Sequence, residues 1–187
     1  NAVLRSAVRE KNALFEKMKN EKGLYGVSVL SSIPEDILRV YADSYGEDTA
    51  KKIAAHFACA SPSVTLRTNT LKTTREKLLA ALGSSASPTA LSPCGIRLSG
   101  SFPVEELFGF SDGLFFVQDE ASQLAAGLLK KEDVPAGGIV VDVCACPGGK
   151  SFSAAISLED KAVFYDFDLH ENQLSLIRSR AERIGIT

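Results

Sequence analysis

The chain has 187 residues, which suits one large domain or two small ones. Apolar residues make up 45% of it and charged residues 24%, a composition typical of a globular protein that excludes disordered, collagen-like and coiled-coil classes. No uncharged apolar run reaches the ~18 residues that a membrane span needs. The net charge of −2, from 21 basic and 23 acidic residues, gives no chain-wide signature of nucleic-acid binding, although a local one stays open.

The four cysteines do not form the pattern of a disulfide framework. Cys144 and Cys146 are too close to pair easily, and no second Cys or His pair accompanies them, so we expect no metal. No signal peptide opens the chain, and we expect a cytoplasmic protein with no membrane partner. The chain starts at Asn1 rather than at Met, and we expect it to be a piece of a longer protein. The sequence indicates no oligomeric state.

The first sixty residues read as helices. Apolar residues recur near a 3.6-residue period over residues 1–20, and Gly23 and Gly26 are expected to end that stretch. Pro34 suits the first turn of a short helix that Gly46 ends. The spacing of apolar residues predicts another helix over residues 47–58.

Residues 60–113 read as a small α+β unit. The pattern predicts a strand from Val64 and a helix that Thr73 or Thr74 caps and Gly83 closes. Residues 84–88 read as a loop. Short strands are expected at 89–92 and 95–99, with a turn between them.

From residue 114 onward, strands and helices alternate. A strand over 114–118 precedes a helix that Asp119 can cap. The apolar runs 139–143 and 162–167 are typical of strands buried on both sides. A helix follows each run, and Gly185 caps the last one, so we expect a parallel sheet.

The most informative segment is Asp142-Val-Cys-Ala-Cys-Pro-Gly-Gly-Lys-Ser151, between a predicted strand and a predicted helix. Its glycines permit close backbone approach, and the free N–H groups of the helix N-terminus face whatever binds there. Asp168 ends the next strand, 20 residues after Gly148. That spacing is typical of the acid that binds ribose hydroxyls in nucleotide-binding α/β folds.

Three ligand classes compete for this loop. A phosphate-binding loop, G-x-x-x-x-G-K-[ST], matches at Gly149-Lys150-Ser151, but Cys144 stands where the first glycine belongs. The G-x-G-x-x-G pattern of dinucleotide sites is absent. A ligand with an adenosine ribose and no pyrophosphate, S-adenosylmethionine, fits better. A turn that binds nothing stays open as the alternative.

Residues 143–150 resemble the Cys-Ala-Ala-Pro-Gly-Gly-Lys motif of RNA cytosine-C5 methyltransferases, the NOL1/NOP2/Sun family. Cys146 departs from that motif, where the family usually has its second Ala. Residues 1–5 resemble the last helix of a NusB-like domain, and residues 66–76 resemble the start of the family's RNA-binding domain. Residues 113–122 resemble the strand-helix element before the motif, and residues 167–172 resemble the acidic turn after the next strand. A NusB-like domain is typical of the bacterial 16S branch, known as RsmB, Sun or Fmu.

The resemblance implies S-adenosylmethionine-dependent methylation of C5 of a cytosine in 16S ribosomal RNA. It also implies cofactor contacts from one loop and one acid: Cys144, Ala145, Cys146, Pro147, Gly148, Gly149, Lys150 and Asp168. The family's nucleophilic Cys lies later in the domain, so we expect it beyond Thr187 and assign no catalytic residue here. The isolated chain is then expected to be inactive. The alternatives are a non-catalytic RNA-binding or ribosome-assembly protein with a methyltransferase-like fold, and an ATP- or NAD-dependent enzyme.

The resemblance also divides the chain and indicates where RNA binds. It implies the end of a NusB-like helical domain at 1–22, an α+β RNA-binding domain at 23–113 and the first part of a Rossmann-like methyltransferase domain at 114–187. A local basic excess surrounds Glu76 and comprises Arg67, Lys72, Arg75 and Lys77. Such a cluster fits RNA phosphates or a solvated helix face, and the resemblance favours RNA.

Overall fold

The computed structural model describes residues 2–21, 23–59, 63–100 and 103–186. The chain divides after Ser61 into two compact units, one helical and one mixed α/β. None of the described helices is both long enough and apolar enough to cross a bilayer.

The first unit holds the helices α1 (Ala2–Lys19), α2 (Leu24–Ser31), α3 (Glu35–Tyr45) and α4 (Glu47–Cys59). Leu38, Ala50 and Ala54 are fully buried where α2, α3 and α4 pack together. The prediction that Gly26 ends a helix is wrong, because Gly26 lies inside α2. A Cβ atom there would overlap the backbone oxygen of Met18, so this glycine serves close packing of α2 on the end of α1.

The second unit begins with a four-stranded antiparallel sheet in the order β2-β3-β1-β4. Its elements are β1 (Val64–Thr68), α5 (Arg75–Leu82), β2 (Ala86–Pro88), β3 (Gly95–Leu98) and β4 (Phe115–Val117). Leu66, Leu78, Ile96, Leu98 and Phe115 form its buried core. Thr74 caps α5 as predicted, since its side chain accepts a hydrogen bond from the Lys77 N–H.

One strand of this sheet differs from the prediction. We expected a loop at 84–88 and a strand at 89–92, but β2 occupies residues 86–88. Ala86 pairs with Leu98 and Pro88 with Ile96, which sets this register. Thr89 instead turns its hydroxyl onto the backbone oxygen of Ser92, 3.2 Å away, and the chain bends there.

The rest of the unit alternates helices and parallel strands: α6 (Glu120–Ala126), β5 (Ile139–Asp142), α7 (Gly149–Ser157), β6 (Val163–Asp166) and α8 (Glu171–Ile184). β5 and β6 pair in parallel, with Asp142 opposite Asp166. The prediction that both faces of these strands are buried is wrong. Ile139 is 66% and Val141 54% exposed, because no described element packs on that face.

Buried polar side chains join the four-stranded sheet to these helices. Arg67 is 5% exposed, and its guanidinium lies 3.3 Å from the Ser157 hydroxyl of α7. The Asn69 amide donates to the backbone oxygens of Gly113 and Ile184, at 2.9 and 2.8 Å. These bonds cross long sequence separations and fix α7 and α8 against the sheet.

Candidate functional site

The candidate site lies where β5 and β6 end. The Asp142 carboxylate accepts a hydrogen bond from the Cys144 N–H at 3.0 Å. Backbone pairing continues past both strands, since Phe167 donates to the Asp142 oxygen at 2.8 Å and Ala145 donates to the Phe167 oxygen at 3.0 Å. This pairing brings the loop after β5 beside the segment that carries Asp168.

Asp168 is bonded directly to that loop. One carboxylate oxygen accepts the His170 N–H at 3.1 Å, and the other accepts the Cys146 N–H at 3.0 Å. These bonds lower the pKa of Asp168, with the His170 N–H as the larger cause. The carboxylate is therefore ionised at neutral pH, and each oxygen keeps a lone pair for a further donor. The side chain is half-buried, so it stays accessible.

The loop closes in a tight turn before α7. The Cys146–Pro147 peptide is cis, and Gly148 has a φ of +100°, a conformation that favours glycine. The Gly148 N–H donates to the Ala145 oxygen at 2.6 Å. A Cβ atom on Gly148 would overlap the buried ring of Phe152, so the turn lies directly on that ring.

Part of the loop faces solvent. Cys144, Pro147 and Lys150 are exposed, and Ala145 is fully buried. The Lys150 amino group lies 3.3 Å from the Cys144 oxygen, so it spans the mouth of the loop. The structure thus brings together all of the residues predicted to contact a cofactor, with Asp168 on one side and the start of α7 on the other.

Two side chains hold the loop from outside. Gln118 donates to the Gly149 oxygen at 2.9 Å and accepts from the Ser153 hydroxyl at 2.6 Å. Arg180 of α8 donates to the Pro147 oxygen at 3.1 Å. Neither Gln118 nor Arg180 was singled out from the sequence as a site residue. The loop oxygens to which they donate lie 31 and 33 positions away, beyond the reach of a local pattern.

Two carboxyl groups share one hydroxyl beneath the loop. The Ser151 Oγ lies 3.0 Å from Asp142 Oδ2 and 2.9 Å from Asp166 Oδ1. A hydroxyl has one proton, so it can donate to only one of the two carboxylates. It can accept a hydrogen bond from the other only if that second group is protonated. Burial, and then the charge of Asp142, raise the pKa of Asp166. Asp166 is therefore protonated more readily than an ordinary aspartate.

The Cys146 thiol does not have the character of a nucleophile. Lost hydration, and then the Asp168 carboxylate, raise the pKa of the Cys146 thiol, which disfavours a thiolate. Across the described ranges, no three His, Cys, Asp or Glu side chains are placed to hold a metal ion.

Comparison with known proteins identifies the family. The model of the ferredoxin-like domain of RsmF/B-like methyltransferases matches residues 33–105. The probable ribosomal RNA small subunit methyltransferase B of Bacillus subtilis is 34% identical over 190 residues, which cover 100% of this chain and 41% of that protein. The chain belongs to the RsmF/B-like methyltransferase family. The resemblance inferred from the sequence motifs is thereby confirmed.

Solved structures share the fold of this RsmF/B-like chain. A methyltransferase homolog protein from Pyrococcus horikoshii has a TM-score of 0.69 at 27% identity, covering 86% of this chain and 52% of that one. NSun6 from Pyrococcus horikoshii, solved with SFG, has a TM-score of 0.69 at 20% identity, covering 82% of this chain and 63% of that one. The chain spans about two-fifths of the length of the curated relatives it matches.

The predicted basic cluster of this RsmF/B-like chain is not a single surface. Arg67 is buried and bonds to α6 and α7, so it is not available to phosphate. Lys72 is exposed and donates to the backbone oxygens of Asp112 and Arg183, at 2.8 and 3.2 Å. Arg75 donates to the Ser92 oxygen, and Lys77 is exposed on α5. Three of the four side chains therefore reach the surface at least in part.

Proposed function

We propose that this chain carries the cofactor loop and the RNA-binding elements of an enzyme that methylates C5 of a cytosine in 16S ribosomal RNA. S-adenosylmethionine is the proposed methyl donor. The observation that carries the proposal is the contact between Asp168 and the loop after β5. It sets an ionised carboxylate with spare lone pairs beside a loop that begins a helix, which is what a nucleoside with free ribose hydroxyls requires.

The loop chemistry favours S-adenosylmethionine over a nucleoside polyphosphate. A phosphate-binding loop wraps its ligand with successive backbone N–H groups. Here the Cys144 N–H is bonded to Asp142 and the Cys146 N–H to Asp168, so neither is free for phosphate. NSun6 of Pyrococcus horikoshii was solved with SFG, an analogue of S-adenosylmethionine. We propose that residues 144–150 and Asp168 hold the cofactor of this chain.

The names of the relatives support the proposed RNA partner and reaction. Their name, ribosomal RNA small subunit methyltransferase B, supports 16S ribosomal RNA as substrate. Of the predicted basic residues, Lys72, Arg75 and Lys77 stay as proposed phosphate contacts, and Arg67 is assigned to the interior. We assign no nucleophile within this chain and expect no methyl transfer by it alone. Incorporation of labelled methyl groups into a fragment of 16S ribosomal RNA measures that transfer.

The finer domain assignments are also proposals. We propose that residues 1–22 end a NusB-like helical domain, that 23–113 form the RNA-binding domain and that 114–187 begin the methyltransferase domain. β4 lies in the segment 114–187 and pairs with β1 of the segment 23–113, so these two segments share a sheet. We propose the cytoplasm as the location, in keeping with four free cysteines.

An Asp168→Asn variant tests the cofactor site. An amide at this position offers one acceptor oxygen rather than two and turns an N–H group toward the loop N–H groups. We expect the affinity for S-adenosylmethionine to fall by roughly 10- to 100-fold in titration calorimetry, the size of losing charge-assisted hydrogen bonds. Asp119→Asn is the matched control, because Asp119 also accepts a backbone N–H, at the start of α6. Equal affinities for the two variants would contradict the proposal.

A further inference from the structure

A cavity of about 330 Å³ separates β4 from the cofactor loop and α8. Phe116 and Phe152 form part of its wall and Pro147 of the loop another part, and Arg180 and Arg183 of α8 also line it. Asp168 is not among its lining residues, so this cavity differs from the proposed ribose position. It combines apolar walls with two guanidinium groups.

The two guanidinium groups lack acidic partners. Arg180 and Arg183 have no carboxylate oxygen within 4.0 Å in the part of the chain that the structure describes, although Glu105 lines the same cavity. The nearby charge of Arg180 adds to burial in lowering the pKa of Arg183. Two like charges beside one cavity repel each other, and an anion between them would relieve that repulsion.

Arg183 is held rigidly in its place. It donates to the backbone oxygens of Phe110 and Phe115, at 2.6 and 3.2 Å, and its guanidinium carbon lies 4.1 Å from the centre of the Phe110 ring. Arg180 bonds to the Pro147 oxygen through one nitrogen and is otherwise exposed. A guanidinium carries five N–H donors, so Arg180 keeps donors for a ligand.

The cavity continues a basic row that begins at Lys72. The Lys72 amino group lies 3.2 Å from the backbone oxygen of Arg183, and Arg180 follows one turn earlier along α8. Lys72, Arg183 and Arg180 therefore lead from the proposed RNA-binding elements to Pro147 of the cofactor loop. Spaced cations of this kind suit a polyanion that extends along the surface better than a single small anion.

We propose that Arg180 and Arg183 bind a backbone phosphate of the RNA strand at the cavity beside the cofactor loop. The exposed apolar part of the wall, at Pro147 and Val117, is the surface for the attached nucleoside, because the Phe116 and Phe152 rings are buried. This inference rests on the proposed function, since it takes RNA as the substrate. It adds a phosphate contact at Arg180 and Arg183, which lie outside the basic cluster near Glu76.

Arg180→Gln in the whole chain tests this site. The probe is a fluorescently labelled single-stranded fragment of 16S ribosomal RNA, titrated by anisotropy between roughly 50 and 200 mM salt. We expect R180Q to bind about tenfold more weakly at low salt, as expected for the loss of one charge-assisted hydrogen bond. The slope of log affinity against log salt should become shallower by about 0.7, the value for one phosphate of a single strand.

Two further variants separate charge from structure. Arg178→Gln is the matched control, because Arg178 is exposed on the same helix and does not line the cavity, and its salt slope should equal that of the wild type. Arg180→Lys keeps the positive charge and should keep most of the slope. If R180Q and R178Q have the same affinity and slope, the phosphate site is wrong and the proposed function stands.

The remaining outcomes are also decisive. A wild-type chain that binds no RNA would overturn this inference together with the RNA part of the proposed function. The carboxylate of S-adenosylmethionine is the other anion that could reach this cavity. If R180Q weakens binding of S-adenosylmethionine more than binding of RNA, Arg180 acts on the cofactor, either through Pro147 or through this cavity, and the assignment to RNA phosphate is wrong.

Discussion

Gly148→Ala is the substitution that most directly probes how the cofactor loop is built. The residue has a φ of +100°, which costs an alanine roughly 1–2 kcal/mol. The new methyl group would also overlap the ring of Phe152, which is 4% exposed and packs edge-on against Phe116 at 5.9 Å between centroids. Forcing that ring aside adds about 1–3 kcal/mol, as overpacking of a core does.

We therefore expect G148A to lower the free energy of unfolding by roughly 3 kcal/mol in total. The assay is urea unfolding followed by far-ultraviolet circular dichroism, since the chain contains no tryptophan. Gly137→Ala is the matched control. Gly137 has a φ of +77°, and no atom lies within 4 Å of the point that an alanine Cβ would occupy, so this variant carries the backbone cost alone.

The difference between the two alanine variants isolates the contact with Phe152. Phe152→Leu removes the ring atoms that the new methyl group would overlap. The double variant G148A/F152L should therefore lose about 1–2 kcal/mol less stability than the sum of the losses in the two single variants. If G148A and G137A destabilise the protein equally, or if G148A and F152L are additive, the turn does not lie on the Phe152 ring as described.

Two other substitutions test the polar contacts of the second unit. Burial and Asp142 raise the pKa of Asp166, so its contribution to stability is complete below about pH 4 and is lost as the pH rises through the raised value. Asp166→Asn stays neutral, and the melting temperature of the variant relative to the wild type should therefore be higher at pH 7 than at pH 4; an equal difference at both pH values would contradict the raised pKa. Asn69→Ala leaves the Gly113 and Ile184 oxygens without their buried donor and should cost roughly 2–4 kcal/mol in urea unfolding. Asn172→Ala, at an exposed position of α8, should cost less than about 1 kcal/mol, and equal costs would refute the role of Asn69.

The parallel part of the fold was predictable because its signals are local. An apolar run, a glycine loop and a helix follow one another between residues 139 and 157, and β5, the loop and α7 are found there. Asp119 and Thr74 were recognisable as caps, because capping uses a side chain within three residues of the N–H that it bonds. Asp168 was recognisable from its spacing of 20 residues after Gly148, which is typical of the acid in nucleotide-binding α/β folds.

Other features depend on partners distant in sequence. β2 was missed because its pairing with β3, not its composition, makes Ala86–Pro88 a strand. Arg67 read as an RNA-binding cation, but its contacts lie 56 and 90 residues away in α6 and α7. Gln118 holds the loop through Gly149 in the same way. A charged or amide side chain in a strand or directly after one carries no local mark that distinguishes these buried roles from exposed ones.

The loop after β5 and Asp168 are proposed to form a site for S-adenosylmethionine rather than for a nucleoside polyphosphate. Equilibrium dialysis of the chain against radiolabelled S-adenosylmethionine, with unlabelled competitors, measures this preference. We expect saturable binding at one site, which S-adenosylhomocysteine displaces and an equal excess of ATP or NAD does not. Displacement by ATP or NAD as effective as that by S-adenosylhomocysteine, or no saturable binding, would contradict the assignment of this site.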